Sequence, residues 1–201
     1  KQITLFLPDR FPSRYSWNTH KEYLEILKNI KKFTLSLNNN IQKEIYLKLL
    51  KREGKDRLKE FNKDLNFWKT FRNNIKFVNN DDKIETIYRN SKLSIYFYNS
   101  TGVLELISLN KPVILILNKN QWFNLPKKII KDYQDLYKVG IIYKDIKSAA
   151  LAINKISDNY NKWWYNKNRQ KILLKFKNNF ARYTDHLDKH FASKIKNIKN
   201  N

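Results

Sequence analysis

Residues 91–118 read SKLSIYFYNSTGVLELISLNKPVILILN, and this stretch decides the fold. The run 93–98 is rich in Leu, Ile, Tyr and Phe, which suit the pleated surface of a strand. It passes directly into Asn99, Ser100, Thr101 and Gly102, small residues that cap helices and permit tight turns. Residues 100–109 then place Val103, Leu106 and Ile107 at helical spacing. Lys111-Pro112 ends that helix, and 113–117 is an unbroken apolar strand. A strand, a capped turn, a helix and a second wholly apolar strand make one unit of a parallel sheet covered on both faces.

The same alternation extends outward. Upstream, 3–7 is a short apolar run stopped by Pro8, and 44–50 and 75–78 are two more strand candidates. Thr19 and Glu22 form a capping box before a helix that spaces Tyr23, Ile26, Leu27, Ile30 and Phe33 along one face. Asn38-Asn39-Asn40 signals a loop, and the basic stretch 51–74 reads as an amphipathic helix plus a loop. Asp82 and Glu85 form a second capping box, opening a helix to about Asn90. Downstream, a helix over 126–137 leads to a strand at 139–143 and then a helix through Ala149, Ala150 and Ile153. From Tyr160 only helices are expected, carrying Trp163, Trp164, Ile172, Leu173, Phe176, Phe180 and Tyr183, with a terminal helix over 185–198. The expected fold class is α/β: a Rossmann-like, doubly wound parallel sheet of about six strands with C-terminal helices. Residues 1–158 would form the sheet lobe and 159–201 the helices packing on it. No internal repeat is found.

Composition sets outer limits. The 201 residues hold 41 Lys and Arg against 18 Asp and Glu, a formal net charge of +23, and suit one domain or one lobe of a two-lobed protein. The absence of Cys excludes disulfides, thiolate metal sites and Cys nucleophiles. No apolar run reaches the ~18–20 residues of a membrane span, and no basic-then-apolar leader is seen. The sequence starts on a strand, so a piece of something longer is expected. A net charge of +23 suggests nucleic acid, yet 33 of the 41 cations are Lys, and Lys, Asn and Ile together make 82 of 201 residues. Their codons are rich in A and T, so much of the charge reads as background. Arg, the residue that grips phosphate bidentately, is scarce.

In an open parallel sheet ligands bind beyond the carboxyl ends of the strands, where helix N-termini point. Asn99, Ser100 and Thr101 are placed there to cap a helix while leaving N–H groups for a phosphate, and Gly102 admits a bulky anion close to the backbone. Glu105, one turn further, would accept hydrogen bonds from sugar hydroxyls. The competing reading is an ordinary N-cap with a surface Glu. Elsewhere, His186 and His190 are spaced i, i+4, but Leu187 replaces the Glu that a zinc protease requires, so a surface helix is expected. Trp163-Trp164 reads as packing rather than a sugar platform. His20, near the loop that holds Arg10 and Arg14, is a weak candidate general base. Asp81-Asp82 is more simply a helix cap than a metal site. Three Gly leave no room for a P-loop or a Gly-rich dinucleotide fingerprint.

Residues 91–118 resemble the donor-binding region of GT-B-type glycosyltransferases, UDP-GlcNAc 2-epimerases and CDP-glycerol glycerophosphotransferases. The shared pattern is a strand, a small polar turn, a helix bearing an acidic residue (Glu105), and a Lys-Pro step (Asn110-Lys111-Pro112) into the next strand. The chain resembles still more closely a transferase family associated with O-antigen and other surface-polysaccharide gene clusters. The features that carry this are Pro12-Ser13-Arg14-Tyr15, Tyr98-Asn99-Ser100-Thr101, Trp122, Val139-Gly140-Ile141, Trp163-Trp164 and Phe180-Ala181-Arg182-Tyr183. The likeness covers nearly the whole chain and is strongest over 82–183.

That resemblance implies one GT-B lobe, the C-terminal, nucleotide-sugar-binding part of a glycosyltransferase-like transferase in surface polysaccharide (O-antigen, capsule, lipopolysaccharide) biosynthesis. Asn99, Ser100 and Thr101 would hold the diphosphate and Glu105 the ribose, with the base near Asn80 and Tyr143. Arg10 and Arg14 would stabilise the departing nucleoside diphosphate, the competing reading being ordinary solvent-facing charge. Two departures stand out: the turn lacks the epimerases' paired glycines, and Lys48 stands where a phosphate-binding Arg is expected. No Asp-x-Asp ends a strand, so neither a metal nor a tightly bound cofactor is expected, only a nucleotide-activated donor as substrate. The acceptor, saccharide or lipid-linked, would sit on an N-terminal lobe outside this chain, which would therefore not turn over alone. The location implied is cytoplasmic, with peripheral contact to anionic membrane at its inner face. Two alternatives are a ribosomal-type nucleic-acid-binding module, with its cations on one face and a steep salt dependence, and a GT-B-like lobe without activity.

Overall fold

The computed structural model describes residues 1–8, 20–49, 55–71, 75–79 and 81–182. Six strands form one sheet: β1 (Gln2–Phe6), β2 (Ile45–Lys48), β3 (Lys76–Phe77), β4 (Ser91–Tyr96), β5 (Val113–Ile116) and β6 (Ile142–Tyr143). All pair in parallel, in the order β3-β2-β1-β4-β5-β6. The chain therefore winds outward from β1 to β3, returns to the middle, and winds outward again from β4 to β6. This is the doubly wound Rossmann order, and its switch point lies between β1 and β4.

Strand composition follows from burial on both faces. Residues 3–6 of β1 and all of β5 are buried, so nearly every side chain must be apolar whichever way it points. On one face, α1 (His20–Leu35), the short α2 (Asn39–Gln42), α3 (Lys55–Phe71) and α8 (Ile146–Ile156) cover Ile3, Leu5, Leu93, Ile95 and Ile114. Tyr23, Ile26, Leu27, Ile30 and Phe33, the expected apolar stripe of α1, are all buried there. On the other face, α4 (Ile84–Asn90), α5 (Thr101–Ser108), α7 (Ile130–Lys138) and α10 (Lys167–Phe180) cover Phe6, Tyr96, Val113 and Leu115. Alternate residues of each strand supply the two cores, as the strand period of two requires.

The remaining helices, α6 (Lys119–Phe123) and α9 (Tyr160–Trp164), are short. From α9 the fully buried Trp164 donates from Nε1 to the backbone oxygen and Oδ1 of Asn110, at 3.1 and 2.9 Å. Asn110 has φ +49° and ends α5: its N–H reaches Ile107 O and that of Lys111 reaches Leu106 O. This is a Schellman cap with Asn in the left-handed position. Lys177 of α10 adds a hydrogen bond to Ser108 O at 2.7 Å. The C-terminal helices thus hold the far end of α5.

Several local expectations need correction. The box expected at Asp82 and Glu85 does not form. Lys83 is the N-cap of α4, and the Asp82 carboxylate instead accepts from Asn79 Nδ2 at 3.3 Å in the preceding turn. The strand expected over 139–143 shrinks to Ile142–Tyr143, because Val139, Gly140 and Ile141 close α7. Gly140 (φ +74°) donates to Tyr137 O and Ile141 to Leu136 O, a second Schellman cap. The helix expected over 126–137 begins as a 3-10 turn, Lys127–Ile129, before α7. Where Asn38-Asn39-Asn40 suggested a loop, α2 starts at Asn39. Trp122 lies in α6, which Asn118 and Gln121 open with a full capping box. Thr19, Tyr183, His186, His190 and the helix expected over 185–198 lie outside the described residues.

Candidate functional site

The switch point leaves a cleft of about 270 Å³ at the carboxyl ends of β1, β2 and β4. Register determines what meets there. Phe6, the last residue of β1, pairs with Lys48 of β2 on one side and Tyr96 of β4 on the other. The lysine therefore ends its strand at the cleft, with Phe6 between it and Tyr96. Ser100, Thr101, Gly102 and Glu105 line the opposite wall, and Tyr88, Tyr96 and Tyr98 join Phe6 in an aromatic floor. Tyr96 stacks on Phe6 at 4.5 Å between centroids with planes 2° apart, and Tyr98 meets Tyr96 edge-on at 5.9 Å.

The start of α5 is capped by its own chain. Ser100 Oγ accepts from Gly102 N at 3.2 Å, so that N–H already has a partner. Gly102 itself answers to crowding: a Cβ there would stand 2.3 Å from Tyr96 Oη and 2.9 Å from Tyr88 Oη. Tyr88 Oη donates to Glu105 Oε2 at 2.9 Å and lies 3.4 Å from Tyr96 Oη. Burial pushes the Tyr88 phenol well above the ordinary tyrosine range; the Tyr96 hydroxyl pulls it back somewhat and Glu105 pushes it further. Tyr96 is pushed up as well, by burial first and then by Tyr88. Both phenols stay protonated at neutral pH, so Tyr88 is a fixed donor to the carboxylate. Glu105 and Tyr88 also border a second space of about 550 Å³ between α4 and α5, which runs toward Ala181 and Arg182.

Of the residues singled out in the sequence, the fold gathers Lys48, Ser100, Thr101, Gly102 and Glu105 around one cleft. Asn99 is turned toward α7, where its Oδ1 accepts from Tyr133 Oη at 2.9 Å. Tyr143 lies in β6, whereas Asn79 and Asp81, the neighbours of Asn80, follow β3. Those strands are opposite edges of the sheet. Arg10, Arg14 and Asn80 themselves lie outside the described residues, as does the side chain of His20. The Trp163-Trp164 pair packs internally, with Arg169 over the Trp163 ring at 4.4 Å. The aromatic floor went unread in the sequence, although Tyr96 and Tyr98 stand two apart in one strand run and so share a face. Nothing local marks Tyr88.

The described residues hold no helix long and apolar enough to cross a membrane, and no cluster of three or more His, Cys, Asp or Glu able to hold a metal ion. The family model described as LIC12162 family transferase matches residues 3–195. The chain belongs to that transferase family. None of the curated proteins compared matches it. A transferase-family assignment agrees with a cleft that sets a lysine, hydroxyls and a carboxylate around an aromatic floor, outside the strand ends where α/β folds bind their ligands.

Proposed function

We propose that this chain is the C-terminal, nucleotide-sugar-binding lobe of a GT-B-like glycosyltransferase in surface polysaccharide (O-antigen or capsule) biosynthesis. The observation that carries this reading is the convergence of Lys48, Ser100, Thr101 and Glu105 on one cleft at the switch point of the sheet. A donor's diphosphate would lie against the Ser100 and Thr101 hydroxyls at the positive end of α5, with Lys48 balancing its charge. Glu105 would accept from ribose hydroxyls. Arg10 and Arg14, on the segment that follows β1, would carry the charge developing on the departing nucleoside diphosphate. The acceptor, a saccharide or a lipid-linked one, would be presented by a second lobe, so this chain alone would bind donor without turning it over. The net charge of +23 favours contact with anionic lipid beside a lipid-linked acceptor.

Thermal unfolding with UDP, GDP, CDP, CMP and ADP tests the reading. Ligand at a hundred times its Kd stabilises by about 2.7 kcal/mol, which for a chain of this size raises Tm by about 5–10 °C. One nucleotide should give such a shift, and Glu105→Ala should reduce it. A flat response to all five refutes the proposal.

A further inference from the structure

We infer that Tyr88 is a positioning residue: it holds the Glu105 carboxylate in the orientation that receives a ribose, and so makes the cleft prefer ribonucleotides. This rests on the reading of the cleft as a nucleotide site. Glu105 is exposed on α5 and borders both the cleft and the larger space between α4 and α5. An unrestrained glutamate there has room to swing between the two, and a ligand would have to order it on binding. Tyr88 removes that freedom in advance. It is 4% exposed, its ring is wedged 5.8 Å from Phe6, and its hydroxyl donates to Oε2 at 2.9 Å. One carboxylate oxygen is thereby engaged from the α4 side, and Oε1 is left to accept from a ligand. A phosphate alone gains nothing from this arrangement, because a carboxylate repels it; a vicinal diol gains an oriented acceptor.

The test uses the full chain, the nucleoside diphosphate that binds it best, the 2′,3′-dideoxy form of that nucleotide, and inorganic pyrophosphate. Pre-ordering one side chain is worth about a three- to tenfold change in Kd. Tyr88→Phe should weaken the ribonucleotide by that factor and leave the dideoxy form and pyrophosphate unchanged. In a Glu105→Ala background, Tyr88→Phe should have no further effect. Equal weakening of all three ligands would make Tyr88 merely structural, and an unchanged ribonucleotide Kd would remove it from the site; either overturns the inference and leaves the nucleotide reading standing. Failure of the unaltered chain to bind any nucleotide overturns both.

Discussion

Gly102→Ala adds one methyl group at a crowded point of the cleft, and its cost follows from three distances. The new Cβ would lie 2.3 Å from Tyr96 Oη, 2.9 Å from Tyr88 Oη and 3.0 Å from Tyr96 Cζ. Ordinary contact would require the Tyr96 hydroxyl to withdraw by about 1 Å. The ring is held in place, being 2% exposed and stacked face to face on Phe6 at 4.5 Å. Overpacking of this kind costs about 1–3 kcal/mol. Against it stands the better helix propensity of Ala, worth at most about 1 kcal/mol in the first turn of α5. The net expectation is a loss of about 1–2 kcal/mol, or a Tm lower by about 2–8 °C. Tyr96→Phe removes the clashing oxygen, whose hydrogen-bond contact is the long 3.4 Å one to Tyr88. Gly102→Ala should therefore cost about 1 kcal/mol less in that background than in the unaltered chain. Urea unfolding of the four proteins measures the coupling directly. If Gly102→Ala leaves stability unchanged or raises it, or if the two changes simply add, the crowding argument is wrong.

Asn110 offers an independent test at the other end of α5. Asn110→Ala puts an ordinary residue at φ +49° and removes one acceptor of Trp164 Nε1, so urea unfolding should show a loss of about 1–3 kcal/mol. Asn110→Gly relieves the backbone and should cost less, the backbone oxygen still accepting from the indole. The tyrosines make a pH prediction. Tyr88 and Tyr96 have folded pKa values raised above the 10.0 of an exposed tyrosine, so their stabilising contribution is complete below about pH 10 and is lost as pH rises toward the folded values. Alkaline unfolding followed by circular dichroism should begin above pH 10, and in Tyr96→Phe the loss should be shallower. A stability that stays flat well above pH 10 would contradict the burial of these phenols.

The central strands β1, β4 and β5 and the stripe of α1 were legible because burial on two faces, or on one helical face, writes its own period into the chain. Short-range rules served less well. Asp82 and Glu85 have capping-box spacing, but Asn79 competes for the aspartate and moves the cap to Lys83. Gly140 sits inside an apolar run that resembles a strand, and a positive φ turns that run into a helix terminus. For the site, the turn at Asn99–Gly102 announced itself through its small residues, whereas its surroundings depended on long-range register. Phe6 stands between Lys48 and Tyr96 only because β1 is central, and no local pattern gives strand order. The Tyr88–Glu105 contact joins two helices that pack on the same face of the sheet, which is why spacing alone could not find it.

The sheet's edges bear on how this chain meets other molecules. β3 and β6, its two outermost strands, are two residues long, while the strands between them have four to six. β3 also carries an exposed Lys76. An incoming strand would find almost no unpaired backbone ladder to extend, and it would meet a charge at one border. Growth of the sheet by a second chain, whether productive or aggregating, is therefore disfavoured at both margins.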